Sequence, residues 1–186
     1  MAAHIAAYTT VSIDEYLHDF SFRPDVEYID GELRERPVVK RVHGRIQSLL
    51  SMWFGTHEEA WGIEVVVEVR TRVSATRVRL PDVIVDWAGD RPDTLIEPPL
   101  LVIEVLSPGD SYTETQRLAQ DYLAMGIPNI WLLDPETRTA RVCENKAWIE
   151  KSRLEVAGTE IYLDVDVLFA RLDRTATQAI EQDAAL

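Results

Sequence analysis

Two almost wholly apolar segments, LLVIEVL at residues 100–106 and NIWLLD at residues 129–134, flank a stretch with helical character. Apolar runs this short and continuous are typical of strands that are covered on both faces of a sheet. The intervening residues 111–125 follow the capping sequence SPGD and end at Gly126, the usual residue after a helix. This order predicts two parallel, neighbouring strands joined by a right-handed helical crossover.

The segments on either side of this unit predict a larger mixed fold. Five patterns carry this expectation: helical spacing at residues 12–20 and 40–56, a hairpin turn at Asp30-Gly31, and strand-forming residues at 63–73 and 78–88. Shorter strands and an amphipathic helix follow towards the C-terminal end. We therefore expect an α/β (α+β) fold in which a mixed sheet is flanked by helices, with additional antiparallel edge strands.

The domain organisation is predicted to be simple. A length of 186 residues suits one domain with its own core, and no repeat or flexible linker divides the chain. We expect a single domain over residues 1–186, with an N-terminal helical segment at 1–22 and a flexible tail at 173–186. No apolar run has the length that a membrane-spanning helix needs, so no membrane association is expected.

Cysteine usage and the first residues bear on the cellular compartment. The single cysteine, Cys143, makes an intramolecular disulfide impossible and excludes cysteine-rich zinc sites. The first residues, MAAHIAAYTTVSIDEY, lack the basic and apolar segments of a signal peptide. Both features predict a cytoplasmic protein.

The charge distribution is uneven. The formal net charge of −13 argues against general nucleic-acid binding, because phosphates require a basic surface. Residues 33–82, however, contain nine basic and six acidic residues. This segment predicts either a local basic face or ordinary solvated charges on strands and a helix.

Two carboxylates lie within otherwise apolar strands, Asp82 in VRLPDVIV and Glu104 in LLVIEVLS. Burying an ionised carboxylate is costly unless it is paired or binds a metal. If the two strands are neighbours, both carboxylates meet at one place, where a hard divalent cation can bind oxygen ligands. The alternative is structural, with each acid ending a strand or pairing with an arginine such as Arg79.

Other residues are predicted to be structural. Trp53, Tyr122 and Trp131 have core-like spacing and are expected to pack in the interior. Asp134, in the segment DPE, is expected to cap the turn that follows.

Several motifs together resemble a known family. They are YIDGEL, VHGRI, RLPDVIV, LLVIEVLSPGDSY and DYLAMGIPNIWLLDPETRT, which extend from about Glu27 to Arg138. A Pro-Asp in one strand and a Glu-x-hydrophobic in the next resemble the PD-(D/E)xK nuclease superfamily. Within it, the chain resembles the Uma-type family of restriction endonuclease-like proteins, which is common in bacteria.

The resemblance implies a restriction-endonuclease-like fold and metal-dependent cleavage of a phosphodiester. By the same resemblance, Asp82 and Glu104 are metal ligands, with the main-chain carbonyl of Val105 completing the set. Glu32 of the first hairpin is expected to bind the metal directly or through water. His43, at the start of the following helix, is expected to contact a phosphate or orient a water.

The chain departs from the superfamily motif at its lysine. Two residues after Glu104 the motif expects lysine, but Leu106 stands there. In the Uma-type family the basic residue is displaced to the next helix, at the position of Leu118, which is also apolar. The cation is therefore expected to be Arg117 or Lys40, and Gln116, beside Arg117, is expected to bind substrate.

The leading prediction is an endonuclease that uses Mg²⁺ or Mn²⁺ to hydrolyse DNA. The alternative is a nuclease-fold module that binds metal or nucleic acid, or assembles with partners, without turnover. A third hypothesis is an unrelated α/β domain with structural acids. The apolar edge segments around Trp148 also predict a homodimer, in which two active sites would suit double-strand cutting.

Overall fold

The computed structural model describes residues 11–19, 26–36, 40–108 and 110–183, with side chains of the last helix described up to residue 174. The first ten residues of the predicted N-terminal segment lie outside this range. The five helices described are α1 (Ile13–His18), α2 (Arg41–Gly55), α3 (Glu58–Trp61), α4 (Tyr112–Met125) and α5 (Val165–Asp183). Helix α5 therefore continues beyond residue 173, where the sequence predicted a flexible tail.

Twelve strands are present among the described residues. They are β1 (Val26–Ile29), β2 (Glu32–Glu35), β3 (Ile63–Val66), β4 (Thr71–Ser74), β5 (Arg77–Arg79), β6 (Val83–Trp87), β7 (Leu101–Val105), β8 (Asn129–Asp134), β9 (Thr139–Glu144), β10 (Ala147–Glu150), β11 (Arg153–Glu155) and β12 (Tyr162–Asp164). The two longer strands predicted at residues 63–73 and 78–88 are each divided. Glu68 adopts a positive φ of 54° between β3 and β4, and Pro81 follows β5. A proline cannot donate to a strand ladder, so it favours a break there.

The strands form three sheets. A six-stranded sheet has the order β10-β9-β8-β7-β6-β3, a four-stranded sheet has the order β2-β1-β5-β4, and β11 pairs with β12. Strands β7 and β8 are parallel neighbours, which confirms the prediction from their sequences. The other pairs within the six-stranded sheet are antiparallel, so the sheet is mixed. Strand β10 lies at its edge, and the predicted homodimer through this segment stays a prediction.

Helices cover both faces of the six-stranded sheet. On one face, Leu50 of α2 and Phe169 of α5 belong to the same buried cluster as Val83 and Ile103 of the central strands. On the other face, Tyr122 of α4 belongs to a second cluster with alternate residues of those strands, such as Val102. The near-continuous apolar character of β6 and β7 follows from this double coverage.

Helix α4 is bounded as its sequence predicts. Ser111 caps the first turn in a capping box, in which its hydroxyl accepts from the N–H of Glu114 and the Glu114 carboxylate accepts from the N–H of Ser111. Gly126 ends the helix at a positive φ of 95°, a conformation that glycine adopts without steric cost. Among the helices described, none has an apolar stretch long enough to cross a bilayer.

Candidate active site

Asp82 and Glu104 face each other across two neighbouring strands. Strands β6 and β7 pair antiparallel with Val83 opposite Ile103, and continuing this register by one residue sets Asp82 opposite Glu104. The two strands are therefore neighbours, which is the condition on which the predicted meeting of the two carboxylates depended. Asp82 lies just before β6, in the three-residue link that joins the four-stranded sheet to the six-stranded sheet. Glu104 lies within β7, so the two carboxylates meet where the two sheets join.

Four groups contact the carboxylate of Asp82, which is 1% exposed, and the most distant of them is the Gln47 amide, which donates to Oδ1 over 3.5 Å. The guanidinium of Arg36 donates to Oδ1, and the main-chain N–H of Val105 donates to Oδ2 over 2.8 Å. His43 Nε2 lies 3.0 Å from Oδ2. Because an ionised carboxylate can only accept hydrogen bonds, Nε2 carries the proton in this contact. His43 Nδ1 is buried and has no hydrogen-bond partner among the described residues.

The environment keeps Asp82 ionised. Burial by itself raises the pKa of this carboxyl, but the hydrogen bond from His43 and the positive charge of Arg36 outweigh burial and hold the pKa below its ordinary value. The hydrogen bond from the Val105 N–H acts in the same direction. Asp82 is therefore a buried negative charge that the protein's own groups stabilise.

The pKa of Glu104 is shifted in the opposite direction, above its ordinary value. Burial and the nearby charge of Asp82 raise the pKa of Glu104 well above its ordinary value, and Arg36 and the Tyr122 hydroxyl offset only part of this effect. Tyr122, on α4, donates its hydroxyl to Glu104 Oε1. Burial and the charge of Glu104 raise the pKa of Tyr122 well above its ordinary value, so its hydroxyl keeps the proton that it donates.

The two carboxylates open onto a cavity of about 430 Å³. It lies between the β1–β2 hairpin, the start of α2, the ends of β5 and β7, and the start of α4. Its described lining is Glu27, Arg34, Glu35, Arg36, His43, Arg79, Leu80, Asp82, Glu104, Val105, Leu106, Ser107, Pro108, Asp110, Glu114, Thr115, Arg117, Leu118 and Leu132. Acidic side chains outnumber arginines in this lining, which favours a bound cation.

Among the predicted residues, His43, Asp82, Glu104 and Val105 lie together at this cavity. Arg117 also lines it, although its side chain is exposed. The structure thus brings together the predicted carboxylate pair, its neighbouring main chain and the histidine.

Three predicted site residues lie outside the described lining. Glu32 is exposed on β2 and pairs with Arg34 over 3.4 Å. Lys40 is exposed before α2, and its carbonyl accepts from the first turn of that helix. Gln116 donates to the Tyr112 hydroxyl over 3.0 Å on the surface of α4.

Three other residues in or next to the cavity were not predicted from the sequence to belong to the site. Glu27 of β1 lines it, whereas the prediction for this hairpin named Glu32. Arg36 contacts Asp82, and Tyr122 contacts Glu104, although Tyr122 was expected only to pack. Tyr122 is fully buried, as predicted, so only its hydroxyl contact was missed. The alternation of side chains along a strand could have identified Glu27. It lies on β1 between two buried residues, Val26 and Tyr28, and is itself half-buried.

Part of the basic segment at residues 33–82 is committed to internal contacts. Arg70 is buried and donates to the carbonyl of Tyr16 over 2.6 Å. Arg79 pairs with Glu27 and with Asp121, in each case within 2.7 Å. These arginines brace the four-stranded sheet against α1 and α4 rather than forming an open basic face.

The oxygen donors at the cavity are of the hard type that Mg²⁺ and Mn²⁺ accept. The N–H and C=O of one strand residue point to the same side, so the Val105 carbonyl faces the side on which Asp82 lies. Within the described chain, no group of three or more His, Cys, Asp and Glu side chains is arranged to hold a metal ion. Two carboxylates and one carbonyl fit an ion that takes its other ligands from water and phosphate.

Comparison with known proteins agrees with this architecture. A crystal structure of a "putative nuclease belonging to DUF820" from Anabaena variabilis superposes with a TM-score of 0.73 at 23% identity, covering 87% of this chain and 99% of the other. A cryo-electron microscopy structure of a DrdV–DNA complex matches with a TM-score of 0.37 at 22% identity, covering 68% of this chain and 10% of that one. No relative is found among curated proteins. The sequence model of one family, Uma2, matches residues 13–167. The chain therefore belongs to the Uma2 family, which is described as "Putative restriction endonuclease".

Proposed function

We propose that this protein is a metal-dependent DNA endonuclease that hydrolyses phosphodiester bonds. The observation that carries the proposal is the opposed pair Asp82, just before β6, and Glu104, on β7, whose neighbour Val105 donates its N–H to Asp82. The family match supports nuclease chemistry and, with it, a DNA substrate. Mg²⁺ or Mn²⁺ is the proposed cofactor, held by both carboxylates and the Val105 carbonyl.

Each described residue at the cavity has a defined task in this mechanism. Asp82 is a preformed negative charge, because Arg36 and His43 stabilise its ionised form. His43 acts as a positioning residue that fixes the carboxylate plane of Asp82 through Nε2. Tyr122 positions Glu104 in the same way through its hydroxyl. Such outer contacts fix ligand orientation and tune affinity.

When bound, the metal ion would polarise the scissile phosphate and lower the pKa of a coordinated water. The apolar residues Leu106, Leu118 and Leu132 line the cavity and would limit water around the reacting phosphate. Arg117, exposed at the start of α4, is placed to contact a substrate phosphate further from the carboxylates. These residues bind and orient the substrate strand.

Plasmid cleavage with Mn²⁺, compared between the wild type and D82N, tests the proposal. Cleavage is expected to fall by about a hundredfold or more in D82N, since a neutral amide is a poor metal ligand. D86N is the matched control, because Asp86 is a buried aspartate on β6 that accepts from the N–H groups of Trp87 and Leu100 and forms an ion pair with Arg91. D86N should retain cleavage as a folded protein. Equal cleavage by the wild type and D82N would disprove the assignment.

A second candidate function follows from the two leucines at the expected lysine positions. Leu106 and Leu118 both line the cavity, where a cation would serve cleavage. The protein would then bind metal or nucleic acid as an assembly module without turnover. Calorimetric titration with Mn²⁺ beside the cleavage assay separates the two functions, because binding of Mn²⁺ without any cleavage would favour the module.

A further inference from the structure

Arg36 lies beside the carboxylate pair in the cavity. It follows β2 directly, and its guanidinium contacts Oδ1 of Asp82 while its other terminal nitrogen lies 3.9 Å from Glu68. Its side chain is 18% exposed, so most of it is enclosed. Asp82 is 46 residues away in sequence, and the charges of both Asp82 and Glu104 act on the guanidinium. Arg36 therefore provides the positive charge next to the carboxylate pair.

The other basic residues in or near the cavity pair with other carboxylates or have exposed side chains. Arg79 is bound between Glu27 and Asp121, and Arg34 pairs with Glu32 at the surface. Arg117 has an exposed side chain, and Lys40 lies outside the described lining. Among the described lining residues, Arg36 is the cation in direct contact with the carboxylate pair.

The contact with Asp82 has a consequence for metal binding. A divalent ion that binds Asp82 through Oδ1 needs the oxygen to which Arg36 donates. The ion and the guanidinium carry like charges, so they repel each other at that distance. Arg36 must then leave Oδ1, and its long side chain remains at the cavity, where its guanidinium can bind a phosphate of the substrate.

We infer that Arg36 is a catalytic cation with two positions. Without metal it neutralises Asp82, and with metal and DNA bound it contacts the non-bridging oxygens of the scissile phosphate. It thereby supplies the charge that Leu106 and Leu118 lack. Arginine suits this task because its guanidinium binds phosphate in a bidentate manner and stays protonated. The inference rests on the proposed nuclease function.

The test measures Mn²⁺ affinity by calorimetry and plasmid cleavage in the wild type, R36Q and R91Q. Arg91 is the matched control, because it is a partly enclosed arginine that pairs over 2.9 Å with a buried aspartate of β6, Asp86, outside the cavity. In R36Q, Mn²⁺ should bind about ten-fold more tightly, because the competing cation is gone. Cleavage at saturating Mn²⁺ should fall about a hundredfold or more, because the phosphate loses its charge partner. R91Q should match the wild type in both measurements.

A rescue variant keeps the inference testable if R36Q is poorly folded. In the double variant R36Q with L118K, a lysine enters the cavity from α4 and should restore part of the cleavage. Melting temperatures of R36Q and R91Q report whether the two proteins are comparably folded. Unchanged or weaker Mn²⁺ binding in R36Q, or cleavage by R36Q at the wild-type rate, would overturn the inference. If neither the wild type nor R36Q binds Mn²⁺ or cleaves DNA, the proposed function itself fails.

Discussion

The main-chain N–H of Val105 donates a hydrogen bond to Oδ2 of Asp82 over 2.8 Å. This bond attaches the residue after Glu104 directly to the carboxylate on the opposing strand, so the two acids are held by backbone geometry as well as by side-chain packing. Burial raises the pKa of Asp82, but the hydrogen bond from His43 and the charge of Arg36 outweigh it and hold that pKa low, whereas burial and the charge of Asp82 raise the pKa of Glu104. The site therefore stores electrostatic repulsion that a bound cation relieves.

Replacing Glu104 with glutamine should change how stability depends on pH. Glu104 has a folded-state pKa well above its unfolded value, so its contribution to stability is complete below the unfolded pKa and is lost as the pH rises through the folded pKa. In metal-free buffer, the free energy of unfolding of E104Q should therefore exceed that of the wild type increasingly from pH 5 to pH 9. The gain is at most about 1.4 kcal/mol per pH unit between the two pKa values.

Urea unfolding of both proteins at several pH values measures this difference. The pKa of Asp82 is held below its ordinary value, so Asp82 stays ionised over this range and its own titration does not enter the comparison. A stability difference that stays constant across the pH range would contradict the raised pKa of Glu104.

Removing the Tyr122 hydroxyl should affect both stability and the site. In Y122F, the buried Glu104 loses its donor, which should lower the free energy of unfolding by about 2 kcal/mol. Cleavage with Mn²⁺ should also fall by about ten-fold, because Glu104 is no longer held in one orientation. Urea unfolding and initial cleavage rates measure the two effects.

Y16F is the matched control for this variant. Tyr16 is also fully buried, and its hydroxyl donates to the carbonyl of Val26 over 2.5 Å, away from the carboxylate pair. Y16F should lose a similar amount of stability and keep the wild-type cleavage rate. If Y16F and Y122F reduce cleavage equally, Tyr122 has only a structural role.

The first hairpin allows a direct comparison of two glutamates. Glu27 lines the cavity on β1, whereas Glu32 on β2 is exposed and pairs with Arg34. E27Q should weaken Mn²⁺ binding by about ten-fold, because a negative charge near the ion is lost. E32Q should bind Mn²⁺ as the wild type does, as measured by calorimetry. If E32Q rather than E27Q weakens binding, the ligand role predicted for Glu32 from the sequence is correct.

Much of the architecture was predictable because it depends on local patterns. The apolar strands β7 and β8, the capping box at Ser111 and the glycine at residue 126 are short-range features that can be read from neighbouring residues. The turn after β8 was also predictable from neighbouring residues, since Asp134 accepts from the N–H groups of Glu136 and Thr137 as expected. Such features depend on side-chain period and backbone preference, which the sequence displays directly.

The boundaries of the strands were less predictable. The segments 63–73 and 78–88 read as continuous strands, but each is divided between the six-stranded and the four-stranded sheet. Continuous β-propensity does not show where a chain changes sheets, because that depends on which partner strand lies alongside. The division places Asp82 at the junction of the two sheets.

The sequence by itself determined that Asp82 and Glu104 lie in two apolar segments, and that they would meet if these segments formed neighbouring strands. The pairing of β6 with β7 in the tertiary structure meets this condition. Only the tertiary structure decided their partners. Arg36 reaches Asp82 across 46 residues, and Tyr122 reaches Glu104 from α4. Side-chain contacts of this kind depend on how the hairpin, α2 and α4 pack against the sheet, and this packing of distant segments leaves no periodic signal in the sequence.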